Sequence, residues 1–235
     1  MNIIYLLFHG LSPYSGISKK ILHQVKGFEA CGHRVSLCTY SIADNGHRVR
    51  MINNEIIEDY GTGKPAAAKR RVSYQCIYRY AITHQVELIY VRSFHNANPF
   101  TIRLFSKLRK AGIKIAMEIP TYPYDSEYAG FPLVTRLGIQ VDKVFRKTLA
   151  KHVNAIVTFS DYHCIFGQRT IQISNGVDFD SIPLKKTVSK NTSVIHLLGV
   201  AEVHYWHGYD RLIEGLGKYY QDLSLIHISE PTRRS

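Results

Sequence analysis

Residues 2–9 (Asn-Ile-Ile-Tyr-Leu-Leu-Phe-His) are almost continuously apolar, the pattern of a strand buried on both faces of a parallel sheet. A Gly/Ser/Pro loop over 10–16 follows. Ile17, Ile21, Leu22, Val25 and Phe28 then recur at helical spacing, and Gly32 stands where a C-terminal cap belongs. Residues 34–39 return to a strand pattern and close a β-α-β unit. The alternation continues with a helix over 64–86 opened by Pro65 and a strand over 87–91. A basic amphipathic helix over 99–111, stopped by Gly112, leads to a strand over 113–118. A helix over 133–151 and strands over 155–159 and 169–173 complete the series. Such alternation predicts an α/β fold with a Rossmann-like, doubly wound parallel sheet. Ligands of such sheets bind beyond the carboxyl ends of the strands.

A polar linker over 185–193 precedes a further strand (194–198), loop (199–207) and helix (208–220). This reads as the first β-α unit of a second domain. The expected organisation is one domain over 1–184, then a linker and the start of a truncated second domain over 185–222. Residues 223–235 break the helical pattern and resemble a translated sequencing-library adapter. They are expected to be a non-native tail outside the fold.

Composition narrows the function. Hydrophobic residues make up 45% of the 235 positions, enough for a sizeable core. No apolar run approaches the roughly 18–20 residues of a membrane span. The first residues lack a basic leader and a small-residue cleavage site, so they read as a strand rather than a signal peptide. Cys31, Cys38, Cys76 and Cys164 form no Cys-x-x-Cys pair, and reduced thiols in the cytoplasm are expected. Thirty Lys and Arg against eighteen Asp and Glu leave a net charge of +12. That balance fits a diphosphate, an anionic membrane face or nucleic acid. No zinc-finger, RNA-recognition or basic-zipper signature is present, so nucleic acid is not an expected partner. The basic residues over 64–79 and 103–114 lie on helical segments, where solvated faces also account for them.

Several motifs carry candidate chemistry. The turn Gly10-Leu-Ser-Pro-Tyr-Ser-Gly16 joins a strand to a helix N-terminus. Its free backbone N–H groups suit an anion at Ser15 and Gly16, and a plain tight turn fits the same residues. Gly61-Thr-Gly63-Lys-Pro-Ala66 matches a relaxed dinucleotide pattern, but it follows acidic residues rather than the first strand. His204 and His207 are three apart with no third ligand in view, so no metal is expected. The segment Glu118-Ile-Pro-Thr-Tyr-Pro-Tyr-Asp125 starts at a strand's carboxyl end. Glu118 and Asp125 are candidate catalytic carboxylates, and Tyr122 and Tyr124 can stack on sugars. Arg92 ends the preceding strand. It either points into the same cleft or pairs with Glu118.

The runs Val157-Thr-Phe-Ser-Asp161 and Ile173-Ser-Asn-Gly-Val-Asp178, with Gly199 to Leu216, resemble the family-4 retaining glycosyltransferases of the GT-B fold. Tyr90-Val-Arg-Ser93 and the Glu118 to Tyr128 segment resemble the branch that builds bacterial surface polysaccharides. The likeness spans residues 1–222. It implies two Rossmann-like domains across a cleft, the first holding the acceptor and the second a nucleotide-diphosphate sugar. It places Gly16 near the donor phosphates and Asn175-Gly176 at the cleft, with Arg92, Tyr122 and Tyr124 on the acceptor side. No cofactor is implied beyond the nucleotide sugar as co-substrate. The implied acceptor is lipid-linked or a polysaccharide, and the implied location is cytoplasmic and peripheral to an anionic inner membrane face.

Val200 and His207 stand where the family often carries Arg and Lys. The family's paired donor-domain glutamates would fall beyond the last residue, so the chain by itself is expected to be inactive. A non-catalytic sugar- or nucleotide-binding protein is the alternative, with a nucleotide-cofactor oxidoreductase behind it.

Overall fold

The computed structural model describes residues 1–13, 15–93, 95–124, 133–176, 178–179, 182, 197, 199 and 208–219. The chain divides into two compact units, Met1–Pro183 and Leu184–Ser235.

In the first unit the sequence alternation becomes a single mixed sheet with helices between its strands. The strands are β1 (Asn2–Leu6), β2 (Arg34–Ile42), β3 (Arg48–Ile52), β4 (Glu55–Asp59), β5 (Leu88–Arg92), β6 (Lys114–Ile119), β7 (Ala155–Thr158), β8 (Cys164–Ile165) and β9 (Gln168–Gln172). The helices are α1 (Gly16–Ala30), α2 (Gly63–Val72), α3 (Gln75–Thr83), α4 (Pro99–Lys110) and α5 (Leu133–Ala150). The strand order is β4-β3-β2-β1-β5-β6-β7-β9-β8. β2, β1, β5, β6, β7 and β9 run parallel, whereas β3, β4 and β8 pair antiparallel at the edges. This is the α/β, Rossmann-like architecture the alternation predicts.

Connectivity places the crevice. From β1 the chain moves to β2 on one side, then returns across β1 to β5 on the other. The strand order therefore reverses between β1 and β5, and a crevice opens at their carboxyl ends. The central strands are apolar along their length because both faces are covered. Ile4, Leu6, Ile89, Val91, Ile115 and Met117 pack in one core cluster, and Ile3, Tyr5, Leu7, Ile21, Tyr90 and Val157 in another.

Local chemistry sets the helix starts. The Asn98 side chain accepts from the Phe100 and Thr101 backbone N–H groups, and the Thr101 hydroxyl accepts from the Asn98 N–H. This reciprocal cap, with Pro99 at the first turn, starts α4. Gly112, with φ 83°, follows its end. Ser15 caps α1 through a long 3.5 Å bond from the Ser18 N–H.

Two expectations change. The helix anticipated over 64–86 is broken into α2 and α3 at Ser73, whose backbone is extended. Tyr74 turns inward there, edge-on to Phe8 with ring centroids 5.8 Å apart. Its hydroxyl donates to the Arg71 carbonyl at 2.8 Å. Burying that ring outweighs one more helical turn. The β3–β4 hairpin is additional to the anticipated elements. Asn53 and Asn54 turn it with φ 48° and 70°, the left-handed pair that a two-residue hairpin needs.

In the second unit α6 (Tyr209–Tyr219) is described. Gly208 has φ 67° and its carbonyl accepts from the Leu212 N–H. Leu212 and Ile213 are each 48% exposed. The strand anticipated over 194–198 and the tail over 223–235 lie outside the described residues, apart from Leu197. Among the described residues no helix is long and apolar enough to cross a membrane.

Candidate functional site

A cavity of about 710 Å³ opens at the reversal point. Its walls come from the segments just past β1, β5 and β6, from the first turn of α1, and from Asn175. The sequence places these groups together because each parallel strand ends at the same sheet edge and α1 starts there.

The α1 wall presents the start of a helix to the cavity. The first N–H groups of a helix have no intrahelical partner and lie at the positive end of its dipole. Gly16 is the first helical residue, and a Cβ there would meet nothing within 4 Å. A ligand can therefore approach this backbone closely. Ser18, the third residue, is turned inward, and its hydroxyl accepts from the Ser12 N–H at 2.9 Å. This bond holds the turn against the helix.

Lys20 reaches into the same cavity from the next turn. Its ammonium donates to the Asn175 side-chain carbonyl at 2.7 Å and lies 3.5 Å from the centroid of the Phe159 ring. Burial lowers its pKa from the ordinary lysine value; Glu118 opposes this and Arg92 adds to it. Six residues on, Lys26 pairs with Asp178 at 2.8 Å. Asn175 and Asp178 are thus each held to α1 by a lysine. Gly176 is exposed between them and does not line the cavity.

Arg92 lines the cavity from β5. It is 6% exposed and pairs with Glu118, which is 0% exposed. Both readings of Arg92 hold at once: it faces the cleft and it pairs with Glu118. Glu118 lies beneath the cavity wall. One of its oxygens accepts from Arg92. The other accepts from the Tyr90 hydroxyl at 2.7 Å and the Gln24 side-chain amide at 2.9 Å. Gln24 in turn accepts from the Tyr5 hydroxyl at 2.6 Å. Burial first, and then the Glu118 charge, push the hydroxyl pKa values of Tyr5 and Tyr90 far up. Both phenols therefore remain donors to this network across the physiological range.

On the opposite side Tyr124 lines the cavity and Tyr122 does not. The Tyr124 hydroxyl donates to Asp142 at 3.2 Å, and its ring lies 4.7 Å from that of His95. Asp142 also accepts from the Ala97 N–H at 2.9 Å. Burial raises the Asp142 pKa despite these bonds. Tyr122 packs edge-on against Tyr162 and Phe166, at 4.9 and 5.5 Å between centroids. Its ring joins an aromatic cluster rather than presenting a face to the cavity. His9, at the end of the β1 segment, contacts the Gly10 carbonyl at 2.7 Å, and burial lowers its pKa.

The structure therefore brings together Ser15, Gly16, Arg92, Tyr124 and Asn175 around one cavity, with Glu118 behind it. Asp125 and His207 lie outside the described residues. Sequence reasoning did not single out Lys20, Gln24, Tyr90 or His9 for the site. Lys20 and Gln24 stand four and eight residues after Gly16, the one signal that puts them on the α1 face beside it. Among the described residues no group of three or more His, Cys, Asp or Glu is placed to hold a metal. No protein-family model, curated protein or solved structure matches the chain.

Proposed function

We propose that the chain contributes the acceptor side of a retaining glycosyltransferase. Such an enzyme would move a sugar from a nucleotide-diphosphate sugar to a lipid-linked or polysaccharide acceptor at an anionic membrane face. One observation carries the reading: the uncrowded N-terminus of α1 at Gly16 opens into the same cavity as Lys20 and Arg92. A departing diphosphate needs such fixed positive charge in a partly desolvated site. The resemblance of the Asn-Gly-Val-Asp turn and of the Gly199 to Leu216 segment to family-4 enzymes supplies the reaction class.

In this reading Gly16, Ser15 and Lys20 hold the phosphates, and Asn175 sets the Lys20 ammonium in place. Arg92 faces the ligand, and Glu118 with Tyr90 and Gln24 fixes its orientation. Glu118 then acts as a positioning residue, since its oxygens are engaged beneath the wall. Tyr124 offers the acceptor an aromatic edge.

The same burial of Glu118 favours a second reading, a binder without turnover. The separating experiment is a transfer assay on the protein, using a panel of nucleotide-diphosphate sugars with membrane lipid extract as acceptor. Sugar incorporation that falls sharply in Lys20→Ala supports the transferase. Saturable binding with no nucleoside diphosphate release across the panel supports the binder. Absence of binding for every nucleotide sugar overturns both.

A further inference from the structure

On the far side of β1 from β5 the strands carry a second concentration of positive charge. Arg48 and Arg50 lie on β3, opposite Ile42 and Tyr40 of β2. Arg70 and Arg71 lie on the last turn of α2. Tyr40 gathers two of them. Its hydroxyl accepts from Arg48 at 2.6 Å, and the Arg70 guanidinium lies 4.2 Å from its ring centroid. Arg50 sits beneath, 1% exposed, donating to the Leu7 carbonyl at 2.7 Å.

Four guanidinium groups in one neighbourhood ordinarily draw carboxylates. Here, among the described residues, none of the four makes an ion pair. Elsewhere in this unit Arg79 pairs with Glu58, Lys26 with Asp178 and Arg92 with Glu118. The Nε atoms of Arg50 and Arg70 are buried and without a hydrogen-bond partner. Burial lowers the Arg70 pKa. The Tyr40 hydroxyl opposes this, while Arg71, Arg48 and Arg50 push it further down. Mutual repulsion of this kind is relieved when an anion arrives.

The cluster also borders the chain segment that walls the cavity. The Tyr40 N–H donates to the His9 carbonyl at 3.3 Å. Gly10 runs so close to β2 that a Cβ there would stand 2.8 Å from the Tyr40 carbonyl oxygen.

We infer that Arg48 and Arg70, gathered around Tyr40, with Arg71 beside Arg70 on the last turn of α2, form a second anion site that takes a phosphate group, carried either by a soluble phosphate ester or by a lipid headgroup. Guanidinium forks suit this role because each offers paired donors to phosphate oxygens. The buried Arg50 charge adds to the local potential without reaching the ligand. This site stands apart from the reading of the cavity and does not depend on it.

The test titrates inorganic pyrophosphate into the full chain by calorimetry, beside Arg70→Gln and Gly16→Val. A parallel arm measures binding to phosphatidylcholine vesicles with and without phosphatidylglycerol. The Gly16→Val change affects the cavity alone, so the two sites are read separately. Arg70→Gln is expected to weaken binding about tenfold at a site that survives in Gly16→Val. Loss in the pyrophosphate arm identifies a soluble phosphate ester, and loss in the vesicle arm alone identifies a headgroup. Without ligand, Arg70→Gln is expected to melt no lower than the parent, because repulsion is relieved. Should that variant fail to fold, Arg71→Gln, exposed on the last turn of α2, carries the same comparison. Binding unchanged from the parent in both arms overturns the inference.

Discussion

Arg92 and Glu118 stand opposite each other in register on the neighbouring parallel strands β5 and β6, and their side chains pair beneath the wall of the cavity. The pairing joins stability to function. Arg92 reaches the cavity only because Glu118 neutralises it in a buried place. The Tyr90 and Gln24 bonds to the second carboxylate oxygen hold Glu118 still.

Replacing Glu118 by Gln tests this relationship. The shape survives, but Arg92 is left as a buried charge without its counter-ion. Breaking one side of a buried pair costs about 3 kcal/mol or more. Denaturant unfolding of Glu118→Gln is expected to show a loss of this size. A catalytic carboxylate would behave otherwise, lowering turnover about 10²-fold or more while leaving stability nearly unchanged.

His9 gives the cavity a pH dependence. Burial depresses its folded-state pKa below the ordinary 6.5. The unfolded chain therefore takes up a proton more readily. The His9 contribution to stability is fully present above about pH 6.5 and declines as pH falls through the depressed value. Melting followed from pH 7.5 to 5 is expected to fall more steeply for the parent than for His9→Gln. Identical slopes would show that His9 is not held neutral by its surroundings.

The net charge of +12 has a consequence at membranes. Attraction of about 1 kcal/mol per nearby basic residue fades within a Debye length. Co-sedimentation with vesicles containing phosphatidylglycerol is expected at low salt and lost near 1 M salt, where that length is about 3 Å. Retention independent of salt would point to apolar insertion instead.

In the second unit, α6 exposes Leu212 and Ile213 to nearly half their area. A helix with so little buried apolar surface opens at low cost. Hydrogen exchange in α6 is expected to be much faster than in β1, where Ile3 to Leu6 are 0–1% exposed. Equal protection in a monomer would contradict this.

The elements most legible from sequence are those covered on both faces. β1, β5 and β6 appear as apolar runs because no side of them meets water. The β3–β4 hairpin is less legible because Arg50, a core position, carries a charge, and Glu55, Glu58 and Asp59 make its outer strand read as a loop. Its one local signal is Asn53-Asn54. The break between α2 and α3 depends on where Tyr74 finds a pocket beside Phe8, a tertiary fact that helical periodicity does not contain. At the site, the sequence order shows that Arg92 and Glu118 each end a strand. That they pair follows from the in-register packing of β5 on β6. Tyr90 becomes a partner of Glu118 through the same pairing of β5 on β6, and Gln24 only once α1 folds across the sheet.

In the proposed function the cavity at Gly16 holds a diphosphate. Calorimetric titration of nucleoside diphosphates into the chain carrying Arg70→Gln, which weakens the second site, with and without Gly16→Val, tests this most directly, because a change confined to the Gly16→Val protein reports on the cavity. Valine at Gly16 projects into open space, so the fold is expected to persist while phosphate approach to the first turn of α1 is blocked. The expected result is saturable binding that weakens at least about tenfold on the Gly16 change, with melting shifted by less than about 1 kcal/mol equivalent. Equal affinity in both proteins, or no binding in either, would contradict the account.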